Sequence, residues 1–118
     1  MQYLTGRLRS LGYALQGVGH LLRSQPNAHL HAVATVLVVS AGLYFSVTNT
    51  EWCLLALAMA VVWTAEALNT AIETVVDLVS PEHHVLAGQA KDVAAGGVLL
   101  GSVGAAVVGL VVFVPYLY

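Results

Sequence analysis

Residues 66–77 read Glu66-Ala67-Leu68-Asn69-Thr70-Ala71-Ile72-Glu73-Thr74-Val75-Val76-Asp77 and continue an otherwise apolar run that begins at Trp52. Glu66, Asn69, Thr70, Glu73 and Asp77 recur at intervals of three and four, so a helix gathers them into one polar stripe. Even the lowest scales put an Asp at the centre of a spanning helix at a cost of roughly 2.5–3.5 kcal/mol. A chain that sets several carboxylates on one face of such a helix is expected to use them, and the chemistry is sought there.

Composition fixes the surroundings of that stripe. The chain has 118 residues, 58% hydrophobic and 8% charged, with a mean hydropathy of +0.82. Soluble domains average about 25% charged residues, so this is read as one small all-α integral membrane domain over residues 1–118. Lys and Arg number four in all, which leaves nucleic-acid binding without electrostatic support. Cys53 is the single cysteine; it permits no intrachain disulfide or thiolate cluster and reads as a small buried hydrophobe. The first 25 residues lack a continuous apolar stretch and are not expected to act as a signal peptide.

Leu4, Leu8, Leu11, Leu15, Val18 and Leu22 alternate in steps of four and three, with Arg7, Arg9, Ser10, Gln16, His20 and Arg23 mostly off their stripe. That spacing predicts an amphipathic helix over 4–23 lying in the membrane interface. Ser24-Gln25-Pro26-Asn27 breaks it, because proline cannot continue a helix. Three spans are then expected, over 28–47, 52–79 and 93–117, separated by Thr48-Asn49-Thr50 and by the segment that starts at Ser80-Pro81. The second is longer than a hydrocarbon layer of about 30 Å requires, so its last turns project beyond it. Pro115, Tyr116 and Tyr118 suit an interface at the end of the third.

Arg7, Arg9 and Arg23 precede the first span and Lys91 lies between the second and third, so with three spans all four cations share one side. The positive-inside rule makes that side cytoplasmic. Glu66 then falls roughly 21 Å along its helix from the outer end, in the inner part of the bilayer, with Glu73 and Asp77 nearer the compartment that holds ATP. Gly97, Gly101, Ala105 and Gly109 recur at strict intervals of four on the third span, the pattern of close helix packing in lipid. No Walker-type loop occurs.

Glu66, Asn69, Glu73 and Asp77 are joined by Glu82, His83, His84, Lys91 and Asp92, which are assigned to the following loop. Carboxylate and amide oxygens suit Mg²⁺ rather than a soft metal. One carboxylate near the metal is placed to act as general base toward a lipid hydroxyl, and the lone lysine offers a point charge to a polyphosphate. Each part also has a plainer reading. Asn69 and Thr70 are suited to bonding between helices, Glu73 and Asp77 to solvation at a helix end, and His83 and His84 to an ordinary loop, their spacing fitting no common zinc motif. His29 and His31 read as anchors at the start of a span.

The segment E-A-L-N-T-A-I-E-T-V-V-D followed by A-K-D resembles the signature of the small prokaryotic diacylglycerol kinases. The likeness extends to G-Y-A-L-Q-G at Gly12–Gly17, to Glu51-Trp52 and to L-V-S-P-E-H-H-V-L-A. V-D-L-V-S-P-E-H-H and G-L-V-V-F-V-P look closer to the undecaprenol kinase branch than to the enterobacterial one. The resemblance implies a homotrimer with sites shared between neighbours, ATP with Mg²⁺ as donor, and a lipid alcohol, undecaprenol or diacylglycerol, as acceptor. It also implies that Glu66 is the general base and that Glu73 binds the metal. By the same likeness Asn69, Asp77, Lys91 and Asp92 complete the polar and nucleotide site, with Tyr13, Glu82 and His84 around the nucleotide. Gln25 stands where the family has a second metal-binding glutamate, and Gly6 where better-known members have an arginine. The function expected is ATP-dependent lipid phosphorylation at a bacterial cytoplasmic membrane. The rivals are a proton- or cation-coupled transporter that uses Glu66 as its site, and a non-catalytic subunit whose stripe only binds helices together.

Overall fold

A computed structural model describes all 118 residues. Four helices follow one another, α1 (Gln2–Ser24), α2 (Pro26–Phe45), α3 (Asn49–Val79) and α4 (Val85–Phe113), and a short 3₁₀ turn over Val114–Leu117 ends the chain; there is no strand. α2, α3 and the stretch Val85–Leu117 are each long and apolar enough to cross a membrane.

The connections are short and each has a local cause. α1 and α2 meet at Gln25 alone, held extended at φ −111° and ψ 117°, the region a residue before proline is forced into. Pro26 opens α2 at a position whose missing N–H needs no partner, and His29 Nε2–H donates back across the joint to the Leu22 carbonyl at 2.7 Å. α2 ends with Ser46 in the left-handed region at φ 52°. The Val47 N–H reaches the Gly42 carbonyl at 3.2 Å and the Ser46 N–H the Leu43 carbonyl at 3.4 Å, a Schellman closure with serine in place of the usual glycine. Thr48 then caps α3: its hydroxyl accepts from the Glu51 N–H at 3.2 Å and donates to Glu51 Oε1 at 2.9 Å. This S/T-x-x-E box was open to view in the sequence, and it starts the helix at Asn49 rather than at Glu51-Trp52.

α4 begins well before Val93, so Lys91 and Asp92 stand on a helix and not in a loop. His84 caps it, its Nδ1 accepting the Leu86 N–H at 3.1 Å. Leu86, Ala87 and Ala90 face Val75, Val76 and Val79 across a narrow apolar cleft, which extends the α3–α4 packing, the most extensive in the chain.

The apolar core sits at one end only. Val47, Leu55 and Val112 are buried there with Phe45, Trp52, Phe113 and Tyr116 around them. Tyr116 donates to Glu51 Oε1 at 2.8 Å and ties the chain end to the start of α3. Gly42 is buried beneath the Trp52 ring, and a Cβ built there would fall 2.5–3.0 Å from three ring atoms. Gly42→Ala is therefore expected to cost about 1–3 kcal/mol, the usual range for overpacking, read as a lower thermal midpoint in detergent.

Elsewhere the helices diverge. The radius of gyration is 17.5 Å, against about 13.5 Å for a compact chain of this length, and 10 of 118 residues are buried. Large apolar side chains on α2, α3 and α4 are open, as is Cys53, which is not the buried hydrophobe that its neighbours implied. Of the small-residue stripe, Gly101 packs on Val61 of α3, while a Cβ at Gly97 or Gly109 would meet nothing within 4 Å. Contiguous apolar surface of this extent marks contact with a membrane or a partner.

Candidate active site

The part of α3 away from the apolar core carries the polar residues. Glu66 is wholly buried, and Asn69 and Thr70 are 5% and 7% exposed. The Thr70 hydroxyl bonds back to the Glu66 carbonyl at 2.9 Å and the Thr74 hydroxyl to the Thr70 carbonyl at 2.9 Å. These side chains thus turn inward along their own helix. Asn69 Nδ2 donates to Glu73 Oε1 at 3.1 Å, linking the second and third steps of the stripe. Glu73 lies two turns beyond Glu66, about 10 Å along the axis.

Both carboxylate oxygens of Glu66, His31 Nε2 and Asn69 Oδ1 are buried without a hydrogen-bond partner. Buried polar groups are normally satisfied, and an exception calls for a cause. Here all four orphans belong to the stripe or to the residue facing it. His31 Nε2 stands 3.3 Å from Glu66 Oε2, within ion-pair distance but not aligned as a hydrogen bond. His31 is therefore more than the interface anchor that its place at the start of a span suggests. The signal that marks it was available, because an ionisable residue within a span is functional by default.

Further along α3, Asp77 pairs with Lys91 of α4. Asp77, Glu82, His83, His84 and Lys91 line a shallow polar hollow of about 170 Å³ where α3 turns into α4. The Ser80 hydroxyl donates to the Glu82 carbonyl at 3.1 Å and shapes its rim. The structure therefore brings Asp77, Glu82, His84 and Lys91 together at one mouth, and sets Glu66, Asn69 and Glu73 along the preceding turns of α3. Tyr13 and Asp92 are exposed on α1 and α4, and Gln25 sits at the α1–α2 joint; no bond joins any of the three to the stripe. No three His, Cys, Asp or Glu side chains converge within the chain. Mg²⁺ usually takes one or two protein carboxylates and completes its shell with water and substrate phosphates. Glu73 and the orphaned Asn69 oxygen fit that limited role.

Compared with known proteins, the profile of the family described as prokaryotic diacylglycerol kinase matches residues 12–113. The chain belongs to the prokaryotic diacylglycerol kinase family. This diacylglycerol kinase family member is 37% identical over 109 residues to an undecaprenol kinase of Bacillus subtilis, covering 92% of this chain and 89% of the relative. It is 40% identical over 109 residues to a diacylglycerol kinase of a Synechocystis species, covering 92% of this chain but only 62% of that longer relative. A diacylglycerol kinase of Escherichia coli is 31% identical over 93 residues, 79% of this chain and 76% of its own length. The chain is a membrane lipid kinase, and neither the fold nor these relatives favours a transporter.

Proposed function

We propose that this lipid kinase moves the γ-phosphoryl group of ATP, delivered with Mg²⁺, to a membrane-dissolved lipid alcohol, with undecaprenol favoured over diacylglycerol. The observation that carries the reading is a wholly buried carboxylate without a hydrogen-bond partner, Glu66, on a polar stripe that leads to a polar mouth where Lys91 stands. In phosphoryl transfer the protein chiefly positions the reactants and stabilises charge. The alcohol oxygen bonds to the γ-phosphorus as the bond to the bridging oxygen breaks, and that electron pair leaves with ADP. The alcohol proton passes to Glu66. Glu73, with Asn69 beside it as polar support, would hold Mg²⁺, which would neutralise phosphate charge. Asp77, Lys91, Glu82, His84 and Asp92, with Tyr13, receive the nucleotide.

The lipid tail lies among the spans. An apolar cleft between α2, α3 and α4, about 380 Å³ and lined by Leu30, Val38, Met59, Val62 and Trp63 among others, opens beside His31. The open apolar faces and the mostly unpacked small-residue stripe support packing against further copies, and the family resemblance makes that assembly a homotrimer, with α1 in the membrane interface. The placement of Arg7, Arg9, Arg23 and Lys91 supports a cytoplasmic amino terminus and nucleotide site. Gln25, which stands where the family has a second metal-binding glutamate, would offer Mg²⁺ a weaker oxygen than a carboxylate.

Purified protein with ATP-Mg²⁺, assayed against undecaprenol and diacylglycerol in parallel, tests the reading; no transfer to either alcohol overturns it. Lys91→Ala is expected to raise the KM for ATP by about tenfold or more, because a bond to a charged group is worth roughly 1.5–3 kcal/mol. The Lys91–Asp77 pair is largely open, with side chains 40% and 65% exposed, so its loss should hardly move the thermal midpoint. An unchanged ATP titration removes Lys91 from the nucleotide site.

A further inference from the structure

The stripe explains Glu66 as a base but not what holds it. Thr70 and Asn69 spend their bonds elsewhere, on the Glu66 carbonyl and on Glu73. Among all titratable side chains, only His31 of α2 comes within ion-pair distance of the Glu66 carboxyl group. A freely rotating carboxylate presents its basic oxygen in the reacting direction for a fraction of the time, and misplacement of about 1 Å can cost on the order of 10²-fold in rate.

His31 is itself held in place. Its ring meets the edge of Trp63 with centroids 6.1 Å apart at 68°. Trp63 Nε1–H donates to Thr35 Oγ1 at 3.0 Å, and the Thr35 hydroxyl donates to the His31 carbonyl at 2.7 Å. Thr35 stands one turn from His31, so this loop of bonds fixes helix, indole and imidazole relative to one another. His31 also lines the apolar cleft, so one side chain touches both the cleft and Glu66.

We propose that His31 is the positioning residue of Glu66: its Nε2–H holds Oε2 and leaves Oε1 as the oxygen that faces the acceptor hydroxyl. The 3.3 Å separation without alignment is the loose geometry common before substrate binds. The proposal rests on Glu66 being the base, and its test separates the two ideas.

The experiment compares His31→Ala, His31→Gln and Glu66→Gln in the full-length protein, with kcat and KM measured for ATP and lipid and folded yield checked by size exclusion. The Gln Nε2 lies near the place of the imidazole Nε2 and keeps a donor there. His31→Ala is expected to lower kcat on the order of 10²-fold with the KM for ATP unchanged. His31→Gln is expected to recover to within about tenfold of wild type, because the neutral donor remains. A drop shared equally by the Ala and Gln variants overturns the proposal, as does a fall confined to the KM for lipid, which would make His31 a wall of the cleft. Wild-type kcat in His31→Ala beside an inactive Glu66→Gln overturns the role of His31 and leaves Glu66 the base. An active Glu66→Gln overturns both. If His31→Ala does not fold, Thr35→Val supplies the same reading by releasing Trp63, with a smaller loss of kcat expected and none in the KM for ATP; an unchanged kcat there overturns the clamp.

Discussion

Glu66→Gln is expected to leave the protein inserted and folded while lowering phosphoryl transfer by about 10²–10⁴-fold, the usual contribution of general acid–base catalysis. The substitution keeps the shape of the side chain and removes its basic oxygen. Little structure depends on that oxygen, since neither carboxylate atom accepts a hydrogen bond and Thr70 is bonded to the main-chain carbonyl instead. An amide is also less costly to bury than a carboxylate, so the thermal midpoint should stay level or rise. Turnover and midpoint measured on the same preparation make the comparison. Activity above about a tenth of wild type is too much for a protein that has lost its general base.

Glu73→Ala is expected to raise the Mg²⁺ concentration for half-maximal activity by at least about 10–100-fold, the range seen when even an outer-shell partner is removed from a metal site. Asn69 would lose the acceptor that now takes its amide N–H, so the orphaned Asn69 oxygen would also lose its orientation. Raising Mg²⁺ should restore much of the rate, which a defect in the base itself would not allow. A Mg²⁺ titration that superimposes on wild type takes Glu73 out of the metal site.

The number of helices and the polar stripe were legible in the sequence because both follow from local periodicity. Alternation of three and four fixes a face whatever surrounds it, and Pro26 and Pro81 mark breaks by their own covalent geometry. The start of α4 was not legible. Gly88, Gln89, Lys91 and Asp92 look like loop residues, and they are helical because their neighbours Leu86, Ala87 and Ala90 face α3, a packing surface that the local sequence does not reveal. His31 was hidden for a related reason: its meaning lies in Glu66, 35 positions later in the chain, and pairing across that distance has no periodic trace. Cys53 was misread because neighbouring hydrophobes imply burial in water-soluble proteins, whereas in a span they imply only an apolar outside.

The one-ended core separates two kinds of mutational damage by height along the bundle. Val47, Leu55, Val112, Trp52 and the Glu51–Tyr116 knot lie at one end; Glu66, Glu73, Asp77 and Lys91 lie toward the other. In a library of random variants scored for both abundance and turnover, loss of abundance should map to the first end and loss of turnover at normal abundance to the second. The end that carries the polar stripe would then be free to vary its side chains without renegotiating how the chain folds.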